Sequence, residues 1–115
     1  MSIFRLDSNE NHAINSKYIQ TVDLTLQNLG NEEFDTLIQG MNPRGTTFIY
    51  LYHLHNASAP NSVITIPNIY TNYEPFSLLL VTNINTYTTT AITMHVRSNG
   101  NLVALFTQED YLRIH

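Results

Sequence analysis

The sequence predicts an all-β fold, an antiparallel β-sandwich of the jelly-roll type, in a single domain over residues 1–115. Roughly six to eight short strands separated by turn residues indicate this class. The clearest strands lie in residues 92–105, where apolar and polar side chains alternate with the period of a half-buried strand. Asn99 and Gly100 interrupt the alternation, and this pair suits a type I′ turn because both residues tolerate positive φ. Residues 92–105 are therefore predicted to form a β-hairpin.

The beginning of the chain is predicted to hold a lead-in followed by a strand. Residues 1–16 are mixed and polar, which indicates a loop or a flexible segment. Residues 18–26 alternate as a strand, and the side chains of Val22, Leu24 and Leu26 are expected to face the core.

A short helix is predicted over residues 32–39. Acidic residues at its start favour the positive end of a helix dipole. Phe34, Leu37 and Ile38 have the spacing of one helical face, and Gly40 fits the C-terminal end. Because about two turns are too short to be stable alone, this helix is expected to pack on the sheet.

The other strands are predicted between turn signals. Residues 46–56 carry apolar side chains on both faces, so this strand is expected to be covered on both sides. Residues 62–66 form a short strand that Pro67 ends, and residues 68–75 are expected to be a surface loop. The remaining predicted strands are residues 76–83 and 111–114.

Composition excludes several classes of function. The net charge of −4 and the lack of a basic cluster argue against binding to nucleic acid. No apolar run approaches the roughly 20 residues of a membrane helix, so membrane insertion is not expected. The absence of cysteine excludes disulfides, thiolate metal sites and a cysteine nucleophile.

The sparse charge and the tyrosine content bear on assembly. Charged residues make up 12% of the chain, and there are seven tyrosines. Lysine and glutamate are depleted at protein interfaces and tyrosine is enriched there, which predicts association with copies of the same chain. The alternative is an ordinary β protein rich in threonine and asparagine, since threonine suits strands and asparagine suits turns.

The order of elements in residues 61–115 carries a resemblance. A strand ending in Ile66-Pro67 is followed by a loop with tyrosine and proline, an apolar strand at 78–81, the hairpin and a short final strand. This order resembles the C-terminal head domains of bacteriophage tail fibres and receptor-binding baseplate proteins. The resemblance implies a virion protein with a β-sandwich head, a homotrimer that contacts other virion proteins, and binding to a host-surface saccharide or protein.

Two histidines form the sharpest local pattern. His53 and His55 are two residues apart in a predicted strand, so both imidazoles point to the same face. Two neutral imidazoles at this spacing can ligate one metal ion. The alternative is two histidines near a strand end that face solvent or a subunit contact. No cofactor is predicted.

Five residues are candidates for ligand binding. His95 and Arg97 lie on the polar face of the hairpin, where an arginine fork can bind a carboxylate or a sugar hydroxyl. Tyr70, Tyr73 and Tyr87 fall in predicted loops, where exposed tyrosines serve as saccharide platforms or interface anchors. The alternatives are a solvated sheet face and tyrosines that close the ends of the sandwich.

The sequence predicts no enzyme. Neither a nucleophile elbow, a phosphate-binding glycine loop nor a zinc-protease helix pattern occurs. Two other classes stay open beside the receptor-binding head. One is a small phage regulator in the host cytoplasm that inhibits a host protein by acidic surface complementarity, and the other is a capsid or baseplate adaptor without a ligand.

Overall fold

Two antiparallel sheets form the fold in the computed structural model, which describes residues 2–8, 16–83, 90–107 and 110–113. The described residues form nine strands: β1 Ser2–Ser8, β2 Thr21–Asn28, β3 Phe34–Asn42, β4 Gly45–Leu54, β5 Val63–Tyr70, β6 Phe76–Thr82, β7 Thr90–Ser98, β8 Asn101–Thr107 and β9 Leu112–Arg113. One sheet has the strand order β4-β3-β6-β1-β9, and the other has the order β5-β2-β7-β8. Short 3₁₀ helices lie at Ser16–Tyr18 and Pro60–Ser62. The prediction of an antiparallel β-sandwich is confirmed.

The core lies between the sheets and follows the alternation of the strands. Side chains from both sheets contribute to one buried cluster. The predicted inward residues of β2 are buried, as are those of the first strand of the hairpin: Val22, Leu24, Leu26, Ile92, Met94 and Val96. Because successive residues of a strand face opposite sides, alternation in sequence becomes a buried face and an exposed face.

The predicted hairpin is also confirmed. β7 and β8 pair antiparallel, and Ser98 pairs with Asn101 at the turn. Asn99 and Gly100 have φ values of 52° and 80°, so both central residues lie in the left-handed region that a type I′ turn requires.

The predicted helix over residues 32–39 is wrong, because this segment lies in β3. Phe34, Thr36, Ile38 and Gly40 alternate as its buried face. Phe34 and Ile38 are four residues apart, a spacing that places side chains on one face in a strand as well as in a helix. Pairing with β4 on one side and β6 on the other satisfies the backbone of the segment, which a two-turn helix could not do alone.

Gly40 has a packing role instead of ending a helix. The ring of Phe48 lies against it, and a Cβ atom at this position would overlap that ring. The register of β3 and β4 also shifts between Gly40 and Met41. Glycine inside a strand often marks such a close approach or a bulge.

The start of the chain is a strand where a lead-in was predicted. β1 pairs with β6 along all seven of its residues. Phe4 and Leu6 are buried, and they alternate with Arg5 and Asp7. Residues 9–15 of the predicted lead-in lie outside the described residues.

Two predicted strands differ from the structure in their extent or cover. β4 lies at the edge of its sheet and is mostly exposed, so within the single chain the predicted cover on both sides, by the core and by a neighbour, is not found. β5 continues past Pro67 to Tyr70, because a bulge opposite Asp23 accommodates Pro67 and Asn68. Proline is tolerated in an edge strand at such a bulge. Within the described ranges no helix has the length and apolarity to span a membrane.

Candidate functional site

Tyr70 lies beside a surface cavity at one end of the sandwich. The cavity has a volume of about 200 Å³ and lies where the β3–β4 turn approaches the segment after β5. Tyr70 is 64% exposed. Polar residues that surround the cavity with Tyr70 include Asn42, Arg44, Asn72 and Glu74.

Hydrogen bonds to the two residues just before β2 hold the segment after β5 in place. The amide of Thr71 donates to the carbonyl of Gln20 at 2.9 Å, and the amide of Tyr73 donates to that of Ile19 at 2.9 Å. Asn72 has a φ of 52°, a conformation that asparagine tolerates better than most residues. The sequence therefore folds this segment back toward the sandwich beside Tyr70.

An ion pair joins the two sides of the cavity. The Nη2 atom of Arg44 donates to Oε2 of Glu74 at 2.8 Å. The hydroxyl of Tyr70 donates to Oδ1 of Asn72 at 3.3 Å. The cavity thus presents an aromatic face, a guanidinium, a carboxylate and two amides within a small volume.

The other predicted ligand-binding residues lie elsewhere. Tyr73 is half-buried, and its hydroxyl is 3.2 Å from Oγ of Ser98 at the end of the hairpin. This contact fits the alternative in which tyrosines close the ends of the sandwich. Tyr87 lies outside the described residues. His95 and Arg97 are on the outer face of the four-stranded sheet and do not line the Tyr70 cavity.

Arg97 is engaged within the chain. Its Nε donates to Oδ2 of Asp23 at 2.9 Å, and the amide of Asn68 donates to Oδ1 of the same carboxylate at 2.8 Å. The hydrogen bond from Asn68, helped by Arg97 and the nearby His95, holds the pKa of Asp23 below its ordinary value of 3.8. Asp23 thus holds the bulge of β5 through Asn68 and is itself paired with Arg97 of β7.

The two predicted metal-ligating histidines lie in a cluster with two carboxylates. Asp35 pairs directly with His53 across β3 and β4, and its Oδ1 is 2.7 Å from Nδ1 of His53. Nδ1 of His55 is 2.8 Å from Oε1 of Glu33. The rings of His53 and His55 are 5.0 Å apart at an angle of 87°. We call Glu33, Asp35, His53 and His55 the His-carboxylate cluster.

The electrostatics of the His-carboxylate cluster favour positive charge. The hydrogen bond to Asp35 raises the pKa of His53, and the charges of Asp35 and Glu33 add to this effect. All four side chains are accessible to solvent. A cation can therefore reach the cluster without any movement of the backbone.

Asn28 supports this cluster from the core. It is fully buried at the end of β2, and its Nδ2 donates to the carbonyl of Glu32 at 2.7 Å and to that of His55 at 3.0 Å. Its Oδ1 accepts from the amide of Gly30 at 2.9 Å. One side chain thus ties together the two segments that carry Glu33 and His55.

Sequence reasoning missed three members of this arrangement. The predicted helix has Glu33 and Asp35 at its start, but Asp35 lies in β3, paired with β4, and Glu33 directly precedes this strand. Asn28 lies beyond the predicted strand of residues 18–26, although it continues the alternation of Val22, Leu24 and Leu26 by one further step. A polar residue at the next inward position of a strand is the signal that could have found it.

The comparisons with known proteins inform the fold alone. No protein-family description and no curated protein matches the chain. Among solved structures, the crystal structure of Thermotoga maritima 1070 is similar, with a TM-score of 0.56 and 10% sequence identity. The match covers 92% of this chain and 89% of that chain. At 10% identity this similarity shows a shared arrangement of strands and nothing about function.

Proposed function

We propose that this protein is a non-enzymatic receptor-binding head of the phage tail-fibre type, which binds a host-surface saccharide at the Tyr70 cavity. The observation that carries the proposal is the exposed ring of Tyr70 beside a cavity rich in hydrogen-bonding groups. The resemblance of residues 61–115 to phage head domains supports the choice of a virion protein.

The chemistry of the cavity suits a sugar. A sugar ring has apolar C–H faces that pack on an aromatic ring, and it has hydroxyls that both donate and accept hydrogen bonds. Tyr70 offers the ring, Arg44 and the amides of Asn42 and Asn72 donate, and Glu74 accepts. A volume near 200 Å³ is below the about 300–1,000 Å³ of sites for drug-sized molecules, so it suits one sugar residue of a longer chain.

The edges of the sheets support self-association, as expected for a homotrimer. β4 and β8 each form the edge of one sheet, and neither contains proline or a charged side chain other than histidine. An edge strand exposes backbone donors and acceptors that can pair with a strand of another chain. Two different edges suit a ring in which β4 of one copy pairs with β8 of the next.

The saccharide proposal is tested by glycan-array binding of the full chain and two tyrosine variants. We expect Tyr70→Ala to lose at least tenfold in affinity for the bound saccharide, because the ring supplies the stacking face. Tyr18→Ala is the matched control, since Tyr18 is similarly exposed at 67% but does not line the cavity. Equal binding by Tyr70→Ala, or no binding to any saccharide, would reject the proposed site.

Light scattering tests the assembly. A mass near three times the chain mass of 13.2 kDa is expected for the receptor-binding head. An assembly that binds no saccharide would instead support a capsid or baseplate adaptor. A monomer that recovers one intracellular protein from a host lysate would support the regulator in the host cytoplasm.

A further inference from the structure

The His-carboxylate cluster has the composition and geometry of a metal site. Glu33, His53 and His55 each offer one ligand atom, and these three atoms lie within 4.8 Å of one another. Among the described residues no other group of histidine and acidic side chains converges in this way. We infer that these three residues bind one divalent transition-metal ion of the zinc type, independently of the proposed saccharide site.

The distances are close to those of a bound ion. A tetrahedral zinc ion with bonds of about 2.0–2.2 Å separates its ligand atoms by about 3.4 Å. Nε2 of His53 is 3.8 Å from Oε2 of Glu33, too far for a hydrogen bond but only slightly wider than this separation. Small side-chain rotations therefore bring both atoms to bonding distance. To bind the ion through Nδ1, His55 gives up its hydrogen bond with Oε1 of Glu33, and the ring proton moves from Nδ1 to Nε2.

Asp35 prepares His53 for this role. Metal-binding histidines usually donate the N–H of the other ring nitrogen to a carboxylate, which fixes the tautomer and the ring orientation. Nδ1 of His53 is 2.7 Å from Oδ1 of Asp35, so its Nε2 carries the lone pair when the ring is neutral. This nitrogen is the one that lies near Glu33.

The backbone around the ligands is held in place before any ion binds. His53 lies within β4 opposite Asp35. Asn28 binds the carbonyls of Glu32 and His55, and the amide of His55 donates to the carbonyl of Asn61 at 3.1 Å. Preorganised ligands lose less conformational entropy on binding, which raises affinity.

The ligand set selects the class of ion. Two imidazoles and one carboxylate suit zinc and its neighbours, whereas magnesium and calcium prefer oxygen ligands throughout. Three protein ligands leave a fourth tetrahedral position for water. The ion links the end of β4 to the segment before β3, so it is expected to stabilise this edge of the sheet.

The first test is calorimetric titration of the full chain with ZnCl₂ and with MgCl₂. We expect one zinc ion per chain, no saturable binding of magnesium, and a thermal midpoint that rises with zinc. His53→Ala and His55→Ala should each weaken zinc binding at least tenfold and remove the thermal shift. His95→Ala is the matched control, since His95 lies on the other sheet outside the cluster, and it should bind zinc as the unmodified chain does.

Asp35→Asn tests the orienting role. Loss of such a carboxylate partner typically costs about 10–100-fold in metal affinity, and we expect a loss in this range. Circular dichroism checks that each variant is folded. On the unmodified chain, one equivalent of zinc should shift the NMR signals of the His53 and His55 rings while those of His95 stay unchanged. Failure to saturate, or equal binding by His53→Ala, would overturn the inference.

Discussion

The edge strands β4 and β5 show two different ways of ending a sheet. β4 is ten residues long, and Ile49 and Leu51 on its outer face are 57% and 71% exposed. β5 is interrupted by the bulge at Pro67 and Asn68, where Asn68 has a φ of 57°. Bulges and prolines are devices that keep an edge from pairing with another chain. β5 is thus a protected edge, whereas β4 is open to a partner.

A polar side chain of β2 holds a segment at each of these edges, and the two side chains differ in burial. Asn28 is fully buried and holds the segment after β4 through the carbonyl of His55. Asp23 is 21% exposed and holds the bulge of β5 through the amide of Asn68. Water replaces a lost hydrogen bond more easily at an exposed site. The hydrogen bonds of the buried Asn28 are therefore expected to contribute more to folding stability than those of Asp23.

The largest effect is expected from Asn28→Ala. The change leaves the amide of Gly30 and the carbonyls of Glu32 and His55 without their partner. We expect the free energy of unfolding to fall by about 3 kcal/mol, measured by urea denaturation. Asn101→Ala on the exposed start of β8 is the control and should change it by less than about 0.5 kcal/mol. An equally small change in the free energy of unfolding for Asn28→Ala would contradict the stabilising role of the Asn28 side chain.

A smaller effect is expected from Asp23→Asn. At pH 7 the variant loses the ion pair with Arg97, which should lower the free energy of unfolding by about 1–2 kcal/mol. The difference from the unmodified chain is measured by urea denaturation between pH 7 and pH 2.

The pH dependence of that difference follows from the lowered pKa of Asp23. The folded chain binds a proton at Asp23 more weakly than the unfolded chain does. The stabilisation from the ionised Asp23 is therefore fully present above about pH 3.8. It is lost as the pH falls through the lower pKa of the folded state. Arg97 and His95 are the basic side chains beside this carboxylate, and protonation of Asp23 removes its charge as the Asp23→Asn substitution does, so the difference should close in acid. A difference that persists at pH 2 would contradict this account.

The smallest change in folding stability is expected from Leu51→Lys. Leu51 is exposed on β4, so the free energy of unfolding of the single chain should change by less than about 0.5 kcal/mol. A charge on an open edge opposes pairing with another chain, so light scattering should report a lower mass. Val63→Lys on β5, also an exposed apolar position, is the control and should leave the mass unchanged. If Leu51→Lys and Val63→Lys had the same mass in solution, the contact between chains would not involve β4.

The candidate sites were predictable only in part. His53 and His55 could be placed on one face from their spacing, and Tyr70 could be singled out as an exposed aromatic residue. The partners of these residues could not be foreseen. Asp35 lies 18 residues before His53, and Arg44 lies 30 residues before Glu74, so only the pairing of strands brings each pair together.

The sequence by itself determined which side of several strands is buried and where the turn between β7 and β8 lies. Period-2 alternation and the Asn99-Gly100 pair act through local backbone geometry, which needs no distant partner. The tertiary structure alone decided that residues 34–42 form a strand, that β4 is an edge and that Asn28 reaches His55. These outcomes depend on which strands become neighbours, and neighbours are chosen by the apolar surface that both sheets bury together rather than by any single segment.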